Sequence, residues 1–252
     1  MRERFRKFLL KMWVSQKTIE ITYICIYKNW KKIKNPFYKL QNILFLRFKK
    51  ITPFEYSLKR KLLSGRETFW DNEFYQSYPP LNFSGERNTV LRIKNYWIKK
   101  YLDTNKSILD VGWNTGFFSL YISSLVKNID VLEYNQNLID IWNSVKKYES
   151  ITNVDLIYWN FLDFRSIKKY DIICSFAVHK WIGLDFVVYM EKLHWFLSKN
   201  GVVFLESQNL EIDPFEDNLK KITTFFEILT IWDTNETSWY KRKFAVLKKK
   251  LY

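Results

Sequence analysis

Apolar runs and amphipathic stretches alternate along most of this chain. Ile108, Leu109 and Val111 suit a short buried strand, Gly112 and Gly116 bracket a tight turn, and Phe117 to Val126 has helical spacing. The pattern predicts a strand over Asn128 to Glu133 and a helix over Leu138 to Val145, with Ile139, Ile141, Trp142 and Val145 available for burial. Strands follow over Val154 to Trp159 and Tyr170 to Phe176, then a helix over Leu184 to Leu197 and a strand over Val202 to Leu205. A helix from Pro214 to Phe225 and apolar stretches over Glu227 to Trp232 and Arg242 to Leu247 complete the series. Such alternation predicts an α/β fold with a doubly wound sheet.

Upstream the pattern changes. Phe5, Phe8, Leu9, Met12 and Trp13 fall at helical spacing among Arg2, Arg4, Arg6, Lys7 and Lys11, which predicts a short basic amphipathic helix. Thr18 to Ile33 mixes strand and helix spacing and is read as helix; Phe37 to Ile51 resumes helical spacing between breaks at Pro36 and Pro53. Ser64 to Gly85 is aromatic and loop-like, and Arg87 to Tyr101 predicts a helix with Val90, Leu91, Ile93, Trp97, Ile98 and Tyr101 on its apolar face.

Charge sharpens the division. Of 41 Lys and Arg, 18 lie in residues 1–66 beside three acids, and the other 23 are matched by 23 acids. The net charge of +15 therefore belongs to an N-terminal basic helical appendage, 1–66, ahead of a neutral domain, 67–252. Such an arm fits an anionic surface, or packs its apolar side on the domain. With 47% hydrophobic residues the chain can bury a core. Cys25 and Cys174 supply neither a disulfide framework nor a zinc site, so a reducing, cytoplasmic setting is expected. Neither a membrane span nor a secretory signal is recognised in the sequence.

The glycine turn carries the chemistry. A strand that breaks at glycine and restarts as a helix brings backbone N–H groups near a ligand above the strand's end. A dinucleotide fingerprint fails, since Asn114 and Phe117 stand where glycines are required, and Asp110 would face a pyrophosphate. A ligand with a cationic amino acid end suits Asp110 better. Glu133, about 20 residues past the turn at the end of the next strand, is placed to accept from ribose hydroxyls.

Asp110-x-Gly112-x-Asn114-x-Gly116 closing a strand resembles the first motif of the class I S-adenosylmethionine-dependent methyltransferases, and the resemblance runs from the helix before Ser107 to the C-terminus. It implies a seven-stranded, mostly parallel sheet ending in an antiparallel hairpin, S-adenosylmethionine as cofactor, and no metal. It also implies cofactor contacts from Asp110, Gly112, Asn114, Gly116, Glu133, Asn160, Phe161 and Ser175. Asn160 departs from the Asp usual in the family for the adenine amino group, and Phe161 is expected to pack on the adenine. Tyr75, Tyr78 and Arg87 are lid candidates, or ordinary packing residues.

The loop after the fourth strand, Ala177 to Gly183, would face the transferred methyl. His179 is the histidine near it and the candidate base, with Glu206 as its partner or substitute. Lys180, Trp181, Glu206 and Gln208 also match an element of the RNA-end phosphate methyltransferases. The expected activity is methyl transfer to an O or N nucleophile of a small molecule or lipid-linked glycan, with peripheral contact to anionic membrane through 1–60, at the inner membrane face. RNA methylation, with the arm on the phosphate backbone, is the alternative, and a non-catalytic binding module a third.

Overall fold

The computed structural model describes residues 52–65, 74–112, 114–211, 213–234 and 241–251. The three helices expected in 1–51 lie outside them. Thr52–Tyr252 forms one compact unit.

Its centre is a seven-stranded sheet of β3 (Ser107–Val111), β4 (Asn128–Glu133), β5 (Val154–Tyr158), β6 (Tyr170–Phe176), β7 (Leu197–Glu206), β8 (Phe226–Thr234) and β9 (Arg242–Lys249). The spatial order is β5-β4-β3-β6-β7-β9-β8. Neighbours from β5 to β7 pair in parallel, whereas β9 runs antiparallel to both β7 and β8. The expected sheet and terminal hairpin are both present. A second, two-stranded parallel sheet pairs β1 (Phe74–Gln76) with β2 (Gly85–Arg87), in a stretch expected to be loop.

The central strands are apolar on both faces because helices cover both. Ile108, Ile172, Cys174 and Phe204 enter one core, shared with α3 (Phe117–Ile122) and α4 (Gln136–Tyr148). Leu109, Val111, Ile173, Val203 and Leu205 enter the other, shared with α6 (Phe186–Phe196) and α7 (Phe215–Lys221). The period-2 alternation of a strand sends adjacent residues to opposite cores.

Several helices are shorter than expected: α3 stops at Ile122 short of Val126, and α7 at Lys221 short of Phe225. The helix read from Arg87 to Tyr101 is only α2 (Thr89–Asn95), capped by the Asn88 side chain, which accepts from Leu91 N. Trp97 then takes a left-handed φ of 53°, and Ile98–Tyr101 is a 3-10 turn. A further helix, α1 (Pro53–Gly65), falls in the stretch grouped by charge with the arm, yet Leu58 and Leu62 are buried in the first core. Phe54 stacks on Tyr148 of α4 at 4.4 Å. No helix among the described residues is long and apolar enough to cross a membrane.

Candidate active site

The carboxyl ends of β3, β4 and β6 meet at the glycine corner. Gly112, Asn114 and Gly116 all have left-handed φ, of 67°, 60° and 65°. That explains the residue types, since glycine takes this region freely and asparagine tolerates it better than bulkier residues. Space explains Gly112 as well: a Cβ there would lie 2.0 Å from Val178 Cγ2, in the loop after β6.

Asp110 is buried beneath this turn and accepts from Ser119 Oγ, in α3, at 2.5 Å. Burial pushes its carboxyl up to about 6, against the opposing pull of the Ser119 hydrogen bond and of Arg92. Glu133 closes β4, and its Oε1 accepts from the backbone N–H groups of Tyr134 and Asn135, both at 2.9 Å. The carboxylate is thus fixed at the strand end where a ribose contact is expected. Gln76 of β1, which the sequence pattern does not single out, accepts from Phe118 N at the start of α3.

Other expected contacts are used internally. Phe161 packs in the second core, 5.2 Å from Tyr189, where its apolar ring is buried. Ser175 is buried and hydrogen-bonds the Tyr189 hydroxyl at 2.8 Å. Asn160 Oδ1 accepts from Leu162 N in an Asx turn, so an adenine amino group would have to share that oxygen. Tyr78 packs against Phe117 as a core ring, the packing alternative of its two readings.

Glu206 is the largest correction. It is buried among Arg242 Nη1 at 2.7 Å, Arg92 Nη2 at 3.3 Å and Arg87 Nη2 at 3.7 Å. Burial would raise its pKa, but Arg92, Arg242 and Arg87 together outweigh it and hold the carboxyl below the usual range. An ionised carboxylate clamped by three guanidiniums is an anchor and a poor proton acceptor. Tyr75, hydrogen-bonded to Arg242, belongs to the same cluster. A charged Arg92 between Leu91 and Ile93, in a helix packed on the sheet, is the sequence signal that could have disclosed it.

His179 opens the one-turn helix α5 (His179–Ile182) and is half-buried against Phe186 and Tyr189. Its Nε2 lies 3.0 Å from the Leu184 carbonyl. A carbonyl only accepts, so a hydrogen bond there puts the ring proton on Nε2 and the basic lone pair of the neutral imidazole on Nδ1. The loop is held from the other side too: Ala177 N donates to Glu206 O, and Gln208 Nε2 to Ala177 O. Lys180 and Trp181 are exposed, Trp181 at 82%.

Residues 97–192 match the family model of the tellurite resistance protein TehB. A candidate methyltransferase of Invertebrate iridescent virus 6, 235L, is 36% identical over 94 residues, 36% of this chain and 34% of the viral one. The chain thus spans about a third of that relative's length. Among solved structures, the N-methyltransferase NodS from Bradyrhizobium japonicum matches with a TM-score of 0.56 at 12% identity, over 64% of this chain and 96% of NodS. Another NodS structure, with a TM-score of 0.51 at 11% identity over 63% of this chain and 87% of NodS, contains S-adenosyl-L-homocysteine. Trm5b from Pyrococcus abyssi matches at 0.52 and 16% identity, over 66% and 49%. By its sheet order and these structural matches, the chain has the fold of the class I, Rossmann-like S-adenosylmethionine-dependent methyltransferases, and its residues 97–192 are similar to the TehB family.

Proposed function

We propose that this chain transfers a methyl group from S-adenosylmethionine to an oxygen or nitrogen nucleophile of a small molecule or lipid-linked glycan. The observation that carries the cofactor reading is the corner itself. Three left-handed positions, at 112, 114 and 116, stand over buried Asp110, with Glu133 fixed at the adjoining strand end. Asp110 would face the amino acid end of the cofactor and Glu133 its ribose, with Asn160 sharing its oxygen with the adenine. The cofactor supplies a methyl group on a sulfonium, which is its own leaving group. What remains for the protein is to align the acceptor, exclude water and remove a proton. His179 Nδ1 is the proposed base, held by the Leu184 contact.

One feature weighs against the RNA-end reading. Of its four matching positions, Glu206 and Gln208 are committed inside the protein, which leaves Lys180 and Trp181. The neighbours named above include both an N-methyltransferase and Trm5b, so likeness of fold does not choose the acceptor. For residues 1–60 we propose preference for anionic lipid over RNA, in a reducing, cytoplasmic setting.

Calorimetry with S-adenosylhomocysteine tests the cofactor reading: micromolar binding that Glu133→Ala weakens is expected, and no binding to intact protein ends it. Tritiated methyl transfer into small-molecule, lipid and RNA extracts tests the acceptor. Label confined to RNA would promote the alternative.

A further inference from the structure

A second surface lies apart from the methyl-transfer corner. Val90, Ile93, Lys94 and Trp97 are spaced i, i+3, i+4 and i+7, and form one wall of an open groove of about 1140 Å³. Leu120 of α3, Leu125 in the turn after it, and Ile151 also line it. None of the described residues from Asp110 to Gly116, nor Glu133 or His179, is among the residues that line it.

Three properties distinguish it. Its wall exposes large apolar side chains where a helix normally shows polar ones: Val90 is 42% exposed and Trp97 65%, with Leu91 beside them at 47%. Trp97 is also held at a φ of 53°, uncommon for a bulky residue, at the point where α2 ends. Finally, Lys94, Lys99 and Lys100 are exposed around the apolar interior, with Glu149 as the acid among the lining residues. Lys100 Nζ stands 5.8 Å from the Trp97 ring and 4.9 Å from that of Tyr101.

An apolar trough edged by ammonium groups and an exposed indole complements a molecule with an apolar chain and an anionic head. Nucleic acid would use the lysines but gain little from Val90, Ile93, Leu120 and Leu125, which offer neither stacking faces nor hydrogen bonds. We propose that this groove binds an acyl chain of an anionic membrane lipid, with the headgroup at Lys94, Lys99 and Lys100. The catalytic domain then meets the membrane by its own surface, independently of residues 1–60.

The test uses the full chain with phosphatidylcholine vesicles, with and without phosphatidylglycerol carrying a photoactivatable acyl chain, and maps adducts by mass spectrometry. Adducts within 90–100 and 120–125, dependent on the anionic lipid, are expected. Reversing the charges with Lys94→Glu, Lys99→Glu and Lys100→Glu should reduce them by at least about tenfold, and Trp97→Ser should also reduce them. Binding of S-adenosylhomocysteine should stay unchanged in both variants, which controls for folding. Adducts confined to 1–51, groove adducts indifferent to the reversals, or no adducts would overturn the proposal. So would RNA that shields Lys94, Lys99 and Lys100 from acetylation where vesicles give no groove adducts.

Discussion

Arg242 Nη1 lies 2.7 Å from Glu206 Oε1, and this pair ties the first residue of β9 to the last residue of β7. Arg87 and Arg92 reach the same carboxylate from β2 and α2. One anion therefore joins four elements that the chain visits at widely separated points.

Removing that anion while keeping its shape should be costly. Glu206→Gln is expected to lower the unfolding free energy by about 3–5 kcal/mol, because the guanidiniums stay buried after losing their carboxylate. Urea denaturation measures it. The depressed pKa fixes the pH window: the contribution is complete above the unfolded carboxylate value of ~4.3 and is lost as pH falls through the lower folded value. The wild-type protein should lose this contribution only in acid, and an undiminished midpoint in Glu206→Gln would refute the anchor.

Asp110 has the opposite sign. Its folded pKa of about 6 lies above the unfolded 3.8, so its contribution to stability is complete below 3.8 and is lost as pH rises through 6. A bound ammonium group favours the ionised form. S-adenosylhomocysteine should therefore bind about tenfold more weakly at pH 5 than at pH 7.5, with proton release near pH 6. Calorimetry in two buffers of different ionisation enthalpy reads the proton directly. Asp110→Asn should remove the pH dependence; its persistence there would assign it to another group.

Gly112→Ala meets two separate obstacles. The left-handed φ costs a non-glycine residue roughly 1–2 kcal/mol, and the new methyl would collide with Val178. The double variant with Val178→Ala should recover the steric part only. A thermal-melt cycle of the four proteins measures the coupling, and strictly additive losses would show that Val178 moves aside.

His179→Gln separates proton transfer from loop support, since an amide N–H can still donate to the Leu184 carbonyl. The expected outcome is near-normal cofactor affinity with turnover reduced by ~10²–10⁴ on the acceptor fraction identified by tritium transfer. A loss of only a few-fold would leave His179 as a positioning residue.

Local pattern determined much of this molecule. Each strand of the large sheet was legible from its apolar run, and the left-handed turn from Gly112, Asn114 and Gly116, because these depend on backbone conformation and burial period. The place of Glu133 at the end of β4 was legible from its spacing after that turn. Which way a side chain faces at the end of a strand depends on what other segments bring to it, and that only the tertiary structure decided. Phe161 and Ser175 were read as cofactor contacts, and Tyr189 in α6 draws both inward. Glu206 read as a base because nothing near it in sequence shows the guanidiniums of Arg87, Arg92 and Arg242; folding assembles them around it, and in a buried site the partners set the protonation state.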